Sequence, residues 1–230
     1  MANIRRSLPS LISFTTLACG VTSAALSIEG RLAPAGALIL LGYLLDAVDG
    51  EVARRLNHTS EFGIQLDSLV DVVHFGGATA ILLTQHLRAE RLGGWPAWIL
   101  AVVFMIAGAF RLARFNLTAG QHSKHSTTGL TISTAGAYLT LAVLADLAFQ
   151  GELFPDVFFY PLALVISALM VSRIPFPELQ ALLRYRWAGA ATMLAGALAA
   201  LWLTPQFVWW GLTTTYIAVG VLRAGARRIR

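Results

Sequence analysis

Asp46-Ala47-Val48-Asp49-Gly50-Glu51-Val52-Ala53-Arg54 is followed, after eight residues, by Gly63-Ile64-Gln65-Leu66-Asp67-Ser68-Leu69-Val70-Asp71. This stretch places four aspartates inside runs that are otherwise apolar, and ionised carboxylates in such runs are costly and by default functional. Asp46 and Asp49 are spaced i to i+3, and Asp67 and Asp71 i to i+4, so each pair occupies one face of a helix. Two such faces set against each other make a carboxylate cage for hard cations.

The rest of the chain says what kind of helix carries that cage. Of 230 residues, 57% are hydrophobic and only 13% charged, whereas a soluble domain is about one quarter charged. The composition is that of a membrane protein. Eight apolar runs, at 8–28, 32–56, 62–86, 95–115, 129–149, 156–173, 187–203 and 206–222, suit a hydrocarbon layer of roughly 30 Å. The expected fold is all-α, a polytopic membrane bundle of about eight transmembrane helices in one domain, 1–230. Residues 1–8 read as an interfacial segment ahead of Pro9, which opens the first span. Residues 9–173 form the core, and 187–222 add two further spans.

Eight crossings from a cytoplasmic N-terminus put Arg5, Arg6, Arg54, Arg55, Arg111, Arg114, Lys124, Arg173, Arg184, Arg186, Arg223, Arg227, Arg228 and Arg230 inside. Only Arg31, Arg88 and Arg91 of the seventeen basic residues then lie outside, as the positive-inside rule requires. Both termini and the aspartate stretch are therefore expected on the cytoplasmic side. The net charge of +5 is explained by juxtamembrane arginines beside anionic lipid rather than by nucleic acid. Cys19, the single cysteine, excludes an internal disulfide. The run ending Thr16-Leu17-Ala18-Cys19-Gly20 loosely imitates a lipoprotein signal, but Thr16 is polar, and an uncleaved first span is the expectation. Trp95, Trp98, Tyr160, Trp187, Trp209 and Trp210 suit aromatic belts. The most polar loop, 116–128, carries His122, Lys124 and His125; it reads as solvated, and its place beside the cage would also suit a gate.

Oxygen ligands select Mg²⁺, Mn²⁺ or Ca²⁺, where thiolates and imidazoles would select softer ions. Four ionised carboxylates held together need cations between them. A two-metal site for phosphoryl or phosphodiester transfer is the economical reading. Gly50 and Gly63 clear space for a ligand to approach the helix backbone. Arg54 supplies a guanidinium able to grip a phosphate bidentately, with room beside it at Ala53. A cation transporter also explains intramembrane acids, although it does not require the glycines, Ala53 or Arg54. Neutralisation by Arg54 and Arg55 alone is the weakest account, since two arginines cannot balance four carboxylates.

The same string resembles the CDP-alcohol phosphotransferase signature DxxDGxxARx8GxxxDxxxD, matching at every fixed position. Ser60-Glu-Phe-Gly63-Ile64, His74-Phe75-Gly76, Phe110-Arg111-Leu112-Ala113-Arg114-Phe115-Asn116 and Ser172-Arg173-Ile174-Pro175-Phe176-Pro177 further resemble the membrane-integral phosphatidylserine synthases of that family. The resemblance covers the first six spans. It implies transfer of a phosphatidyl group from CDP-diacylglycerol to a small polar alcohol, serine above all, with release of CMP. Glycerol 3-phosphate or inositol phosphate remain alternative acceptors. It implies two ions of Mg²⁺ or Mn²⁺ on Asp46, Asp49, Asp67 and Asp71, with Asp71 also the general base. Gly50, Ala53, Arg54, Ser60 and Gly63 would hold the cytidine and diphosphate, and Arg111 and Arg114 a donor phosphate or the acceptor's carboxylate. A homodimer in a prokaryotic plasma membrane, surrounded by lipid, is implied as well.

Three departures stand out. Ser10 follows Pro9 where the family carries Asn. Val70 and His74 stand where the subgroup usually reads DSLSDVVSFG, and Gly129-Leu130-Thr131-Ile132-Ser133-Thr134-Ala135 replaces a GLPxP segment. The last two lie near the expected acceptor position. His74, an imidazole one turn beyond Asp71, reads either as a proton relay or acceptor contact, or as a satisfied interior histidine.

Overall fold

The computed structural model describes residues 2–56, 61–89, 94–118, 126–177 and 204–228, with side chains over 11–47, 62–89, 94–117, 128–155, 157–176 and 204–225. Its helices follow the apolar runs. They are α1 (Ala2–Ile28), α2 (Leu32–Leu56), α3 (Glu61–Asp71), α4 (Thr79–Ala89), α5 (Trp95–Thr118), α6 (Ile132–Ala148), α7 (Phe159–Val171) and α8 (Pro205–Arg228). The expected run at 187–203 lies outside the described residues.

The helix boundaries have local causes. After α1, the Arg31 N–H donates to the Leu26 carbonyl at 2.9 Å and the Gly30 N–H to the Ser27 carbonyl at 3.0 Å. This paired closure needs a left-handed residue, and Gly30 has φ +79°. Thr131 caps α6, its hydroxyl accepting from the Thr134 N–H at 3.2 Å. Pro205 begins α8, where a missing N–H costs nothing. Pro9 behaves differently from expectation: α1 starts at Ala2 and continues through it, so the proline lies inside the helix rather than opening it.

Residues 61–89 form one rod with an interruption. A π-helical segment, Val72–Ala78, joins α3 to α4 immediately after Asp71. A second departure from the all-helical expectation is a short antiparallel ribbon, β1 (Ser126–Thr128) paired with β2 (Pro175–Pro177) in the register Thr127 to Phe176. Two prolines fit β2 because a two-stranded ribbon has open edges where a missing donor is harmless. The expected loop 116–128 therefore has its first residues in α5 and its last in β1, while His122, Lys124 and His125 lie outside the described residues.

α6 is the hub. Every residue from Ala135 to Asp146 is buried, enclosed by α2, α4, α5 and α8. Close approach is bought by small residues: a methyl at Gly136 would lie 2.8 Å from the Phe75 carbonyl, and one at Gly36 2.8 Å from Leu144. Phe75, Phe104, Phe159 and Phe176 fill the interior. The outer surface is apolar too, with Leu11, Ile28, Ile99, Ile106 and Leu222 all at least 62% exposed. A surface of that kind suits hydrocarbon rather than water. Among the described residues three helices, Leu11–Ile28, Phe62–Ala89 and Trp95–Leu117, are long and apolar enough to cross a membrane; Leu32–Ala47, Ile132–Ala148 and Phe159–Val171 are shorter apolar helices.

Candidate active site

Three of the four aspartates converge. Asp46 of α2, Asp67 of α3 and Asp71 at the end of α3 each offer a carboxylate oxygen, and these oxygens lie within 4.8 Å of one another. The i to i+4 spacing aligns Asp67 and Asp71 on one face of α3, and α2 brings Asp46 to it. Burial grades across the cluster: Asp67 is exposed, Asp46 half-buried and Asp71 only 9% exposed. The cluster thus opens to solvent at Asp67 and closes at Asp71. The side chains of Asp49, Gly50, Ala53 and Arg54, and the whole of Ser60, lie outside the described residues. Gly63 stands one turn before Asp67 in the first turn of α3.

Among the described residues, Arg111 of α5 is a cation that interacts with this cluster. Its side chain is 5% exposed, it interacts electrostatically with Asp71, and its guanidinium lies 5.2 Å from the centroid of the Phe115 ring. Its Nε is buried with no hydrogen-bond partner among the described residues. Among the described residues, three carboxylates against one guanidinium leave negative charge in excess, and each close carboxylate pair costs about 4 kcal/mol at an effective dielectric of roughly 20. A divalent ion with oxygen preference fits that charge and donor set.

Arg114, expected beside Arg111, is turned elsewhere. It donates to the carbonyls of Val171 at 2.7 Å, Ser172 at 2.9 Å, Thr128 at 3.2 Å and Met170 at 3.4 Å. One guanidinium thereby closes the end of α7, where carbonyls lack helical partners, and ties it to β1 and α5. Gly129 permits the arrangement, with φ +80° and an N–H donating to the Ile174 carbonyl at 2.8 Å.

His74 is buried at 0% exposure, and its Nε2 lies 3.1 Å from the Ile39 carbonyl of α2. A carbonyl only accepts, so Nε2 is the donor in this contact. Its burial fits the reading as an interior histidine, although only Nε2 is satisfied: Nδ1 is buried with no hydrogen-bond partner among the described residues. Val70 beside Asp71 is also buried, at 2%.

Two supports of the cluster escaped the sequence reading. Asn116 Nδ2 donates to Ser68 Oγ at 3.0 Å, tying the end of α5 to α3 between the two aspartates. Tyr43, one turn before Asp46, hydrogen-bonds Thr134 and feels the Asp46 charge. Asn116 lies in the Phe110–Asn116 stretch and Tyr43 at helical spacing from Asp46, so both had a positional signal and neither had a chemical one.

The profile of the family described as CDP-alcohol phosphatidyltransferase matches residues 6–222 of this chain. The chain belongs to the CDP-alcohol phosphatidyltransferase family. It is similar to a CDP-diacylglycerol-serine O-phosphatidyltransferase of Helicobacter pylori, 31% identical over 175 residues, 74% of this chain and 71% of the relative. A protein of the same name from Mycobacterium leprae is 32% identical over 219 residues, 91% of this chain and 72% of the relative. An archaetidylserine synthase of Methanothermobacter thermautotrophicus is 34% identical over 173 residues, 74% of this chain and 70% of the relative. The chain is accordingly an integral membrane enzyme that transfers a phosphatidyl group to an alcohol. The converging aspartates lie within the matched residues 6–222.

Proposed function

We propose that this enzyme transfers the phosphatidyl group of CDP-diacylglycerol to the hydroxyl of L-serine, giving phosphatidylserine and CMP. The observation that carries the reading is the convergence of Asp46, Asp67 and Asp71 around a common point; the names of the relatives above support serine as acceptor. Asp49 completes the acid set as the signature's fourth member, and Mg²⁺ or Mn²⁺, in two ions, would be held by these four residues. Bound there, the metal supplies charge neutralisation at the diphosphate and at the departing CMP oxygen.

The chain's own residues do the rest. Gly50, Ala53, Arg54, Ser60 and Gly63 receive the cytidine and diphosphate. Asp71, the most enclosed of the converging acids, takes the proton from the serine hydroxyl as its oxygen bonds to the β-phosphorus. The bond from that phosphorus to CMP breaks, and CMP leaves with the electron pair. Arg111, buried beside Asp71 with an unused Nε, is the arginine placed to meet a phosphate oxygen or the acceptor's carboxylate. Arg114 serves it indirectly by fixing the end of α5.

The chain crosses the membrane eight times, with both termini and the site at the cytoplasmic face of the plasma membrane; the distribution of its arginines supports this. That location suits one lipid and one aqueous substrate, and the family resemblance supports a homodimer. Purified enzyme incubated with CDP-diacylglycerol, Mn²⁺ and serine, glycerol 3-phosphate or inositol phosphate in parallel tests the assignment. CMP and phosphatidylserine should form with serine. CMP release only with another alcohol would reject serine, and Mn²⁺ flux into vesicles without CMP release would reject the transferase.

A further inference from the structure

The chemistry just described leaves one buried polar side chain beside the site unused. The His74 ring lies between two helices that approach it through glycine. On the α1 side, a methyl at Gly20 would lie 2.8 Å from Nδ1 and 2.9 Å from the His74 Cα. On the α2 side, a methyl at Gly42 would overlap the imidazole outright, at Nε2 and at the carbon between the two nitrogens. The ring therefore fills a notch that exists only because positions 20 and 42 carry no side chain. The Nε2 bond to the Ile39 carbonyl and the edge of Phe75, 4.6 Å between centroids, fix its rotation.

The notch lies in register with the acids. His74 follows Asp71 by three residues and Gly42 precedes Asp46 by four, so each contact lies about one turn along its helix from the aspartate. Ile39, the hydrogen-bond acceptor, is two turns from Asp46 on the same face of α2. The π segment begins directly after Asp71; its wider turn sets the rotation of the rod on either side, and such segments recur at functional sites. The imidazole is thus the spacer in the layer next to the aspartates.

We propose that His74 is a positioning residue: seated in the Gly20–Gly42 notch, its ring sets the distance of α2 from the α3 rod and so the separation of the Asp46 and Asp71 carboxylates. It never touches substrate. The inference rests on the proposed reading of those acids as metal ligands and assigns to this chain's own histidine the job of spacing them. Removing the ring lets the two helices close on an empty notch; adding a methyl at Gly42 drives them apart. Either change alters the separation of the Asp46 and Asp71 carboxylates, so metal binding is the first step to register it.

The test uses full-length enzyme in detergent, as wild type, His74→Ala, Gly42→Ala and the double variant. Mn²⁺ binding is followed by the electron paramagnetic resonance signal of the free ion, without substrate, and kcat and the KM for CDP-diacylglycerol are measured separately. His74→Ala and Gly42→Ala should each weaken Mn²⁺ binding by about ten-fold and lower kcat, with the donor KM within about three-fold of wild type. The double variant should recover Mn²⁺ binding, because the new methyl occupies space that the ring has left. Should Gly42→Ala alone yield only aggregate, Mn²⁺ binding by the double variant is compared with His74→Ala, and no recovery there overturns the inference. Unchanged Mn²⁺ binding in His74→Ala, or a double variant no better than Gly42→Ala, overturns the inference. Wild-type enzyme that binds no Mn²⁺ overturns the metal reading itself, and the two failures are thereby distinct.

Discussion

The guanidinium of Arg114 on α5 donates to the Val171 carbonyl at the end of α7, 2.7 Å away, and to the neighbouring Ser172 carbonyl at 2.9 Å. This contact separates two arginines that the sequence presents as a pair. Arg114 is occupied by the protein, and Arg111 interacts electrostatically with Asp71. Arg114→Ala should destabilise the folded enzyme by about 3 kcal/mol, since carbonyls that had a charged donor are left without one. Arg114→Lys should recover only part, because an ammonium cannot span several carbonyls as a planar fork does. Unfolding in detergent measures both. A normally stable Arg114→Ala enzyme with a raised CDP-diacylglycerol KM would show instead that Arg114 binds the donor.

Asp71 and Asp46 share a cluster, yet their replacement should have different signatures. Asp71→Asn should lower kcat by about 10³-fold while CDP-diacylglycerol still binds, as loss of a general base demands. Asp46→Asn should instead raise the Mn²⁺ concentration needed for half-maximal turnover by about ten-fold or more. Metal titrations of CMP release compare the two. Equal metal dependence in wild type and Asp46→Asn would remove Asp46 from the ligand set.

Arg111→Lys keeps the charge beside Asp71 but loses the planar donor fork. If Arg111 grips an anionic group of either substrate, kcat/KM should fall by about 10²-fold. Steady-state kinetics with each substrate varied in turn identify which one it meets. Wild-type kinetics for both substrates would remove Arg111 from the site.

What the sequence revealed, and what it hid, follows from range. The helices and the acid cluster were legible because both depend on local period: apolar runs of spanning length, and aspartates three or four residues apart that share a face wherever the helix packs. The β1–β2 ribbon was not, because three-residue strands containing Pro175 and Pro177 carry no alternation. Pro9 read as a helix start and lies inside α1 instead, since one missing N–H does not end a long helix whose other bonds persist. The π segment after Asp71 leaves no mark on composition. His74 was the most ambiguous residue, because its partners Gly20, Ile39 and Gly42 are distant in sequence and meet only after three helices pack. Arg111 and Arg114, one turn apart, looked equivalent until α7 and β1 claimed one of them.

Gly129 and Gly211 offer a paired test of local backbone demand. Gly129 has φ +80°, and a methyl there would overlap the Met170 carbonyl and lie 3.0 Å from the Arg114 guanidinium. Gly129→Ala should therefore cost more than the roughly 1–2 kcal/mol of a left-handed alanine alone, and it should disturb the Arg114 clamp. Gly211, inside α8, has nothing within 4 Å of the same position. Gly211→Ala should be neutral or stabilising by up to about 1 kcal/mol, since alanine favours a helix interior. Thermal unfolding of the two variants should shift in opposite directions; a tolerated Gly129→Ala would contradict the geometry of the 128–130 turn.

The far end of the rod carries a second polar link with a different purpose. His86 Nε2 lies 3.1 Å from Asp146 Oδ2, with side chains 0% and 2% exposed. The other carboxylate oxygen accepts the N–H groups of Leu153 at 3.1 Å and Phe154 at 3.0 Å. One aspartate thus joins α4, the end of α6 and the turn that leads to α7, where Gln150 and Gly151 both have positive φ. His86 is fifteen residues beyond Asp71, about four turns along the rod, so this link supports the fold rather than the chemistry. Asp146→Ala removes the partner of a buried histidine and the acceptor for two part-buried N–H groups together, and should cost about 3 kcal/mol. Asp146→Asn keeps an oxygen for the two amides and should cost less. In both variants turnover per folded molecule, and Mn²⁺ binding, should stay at the wild-type level. Loss of turnover in a fully folded Asp146→Asn enzyme would mean that this end of the bundle is coupled to the aspartate cluster.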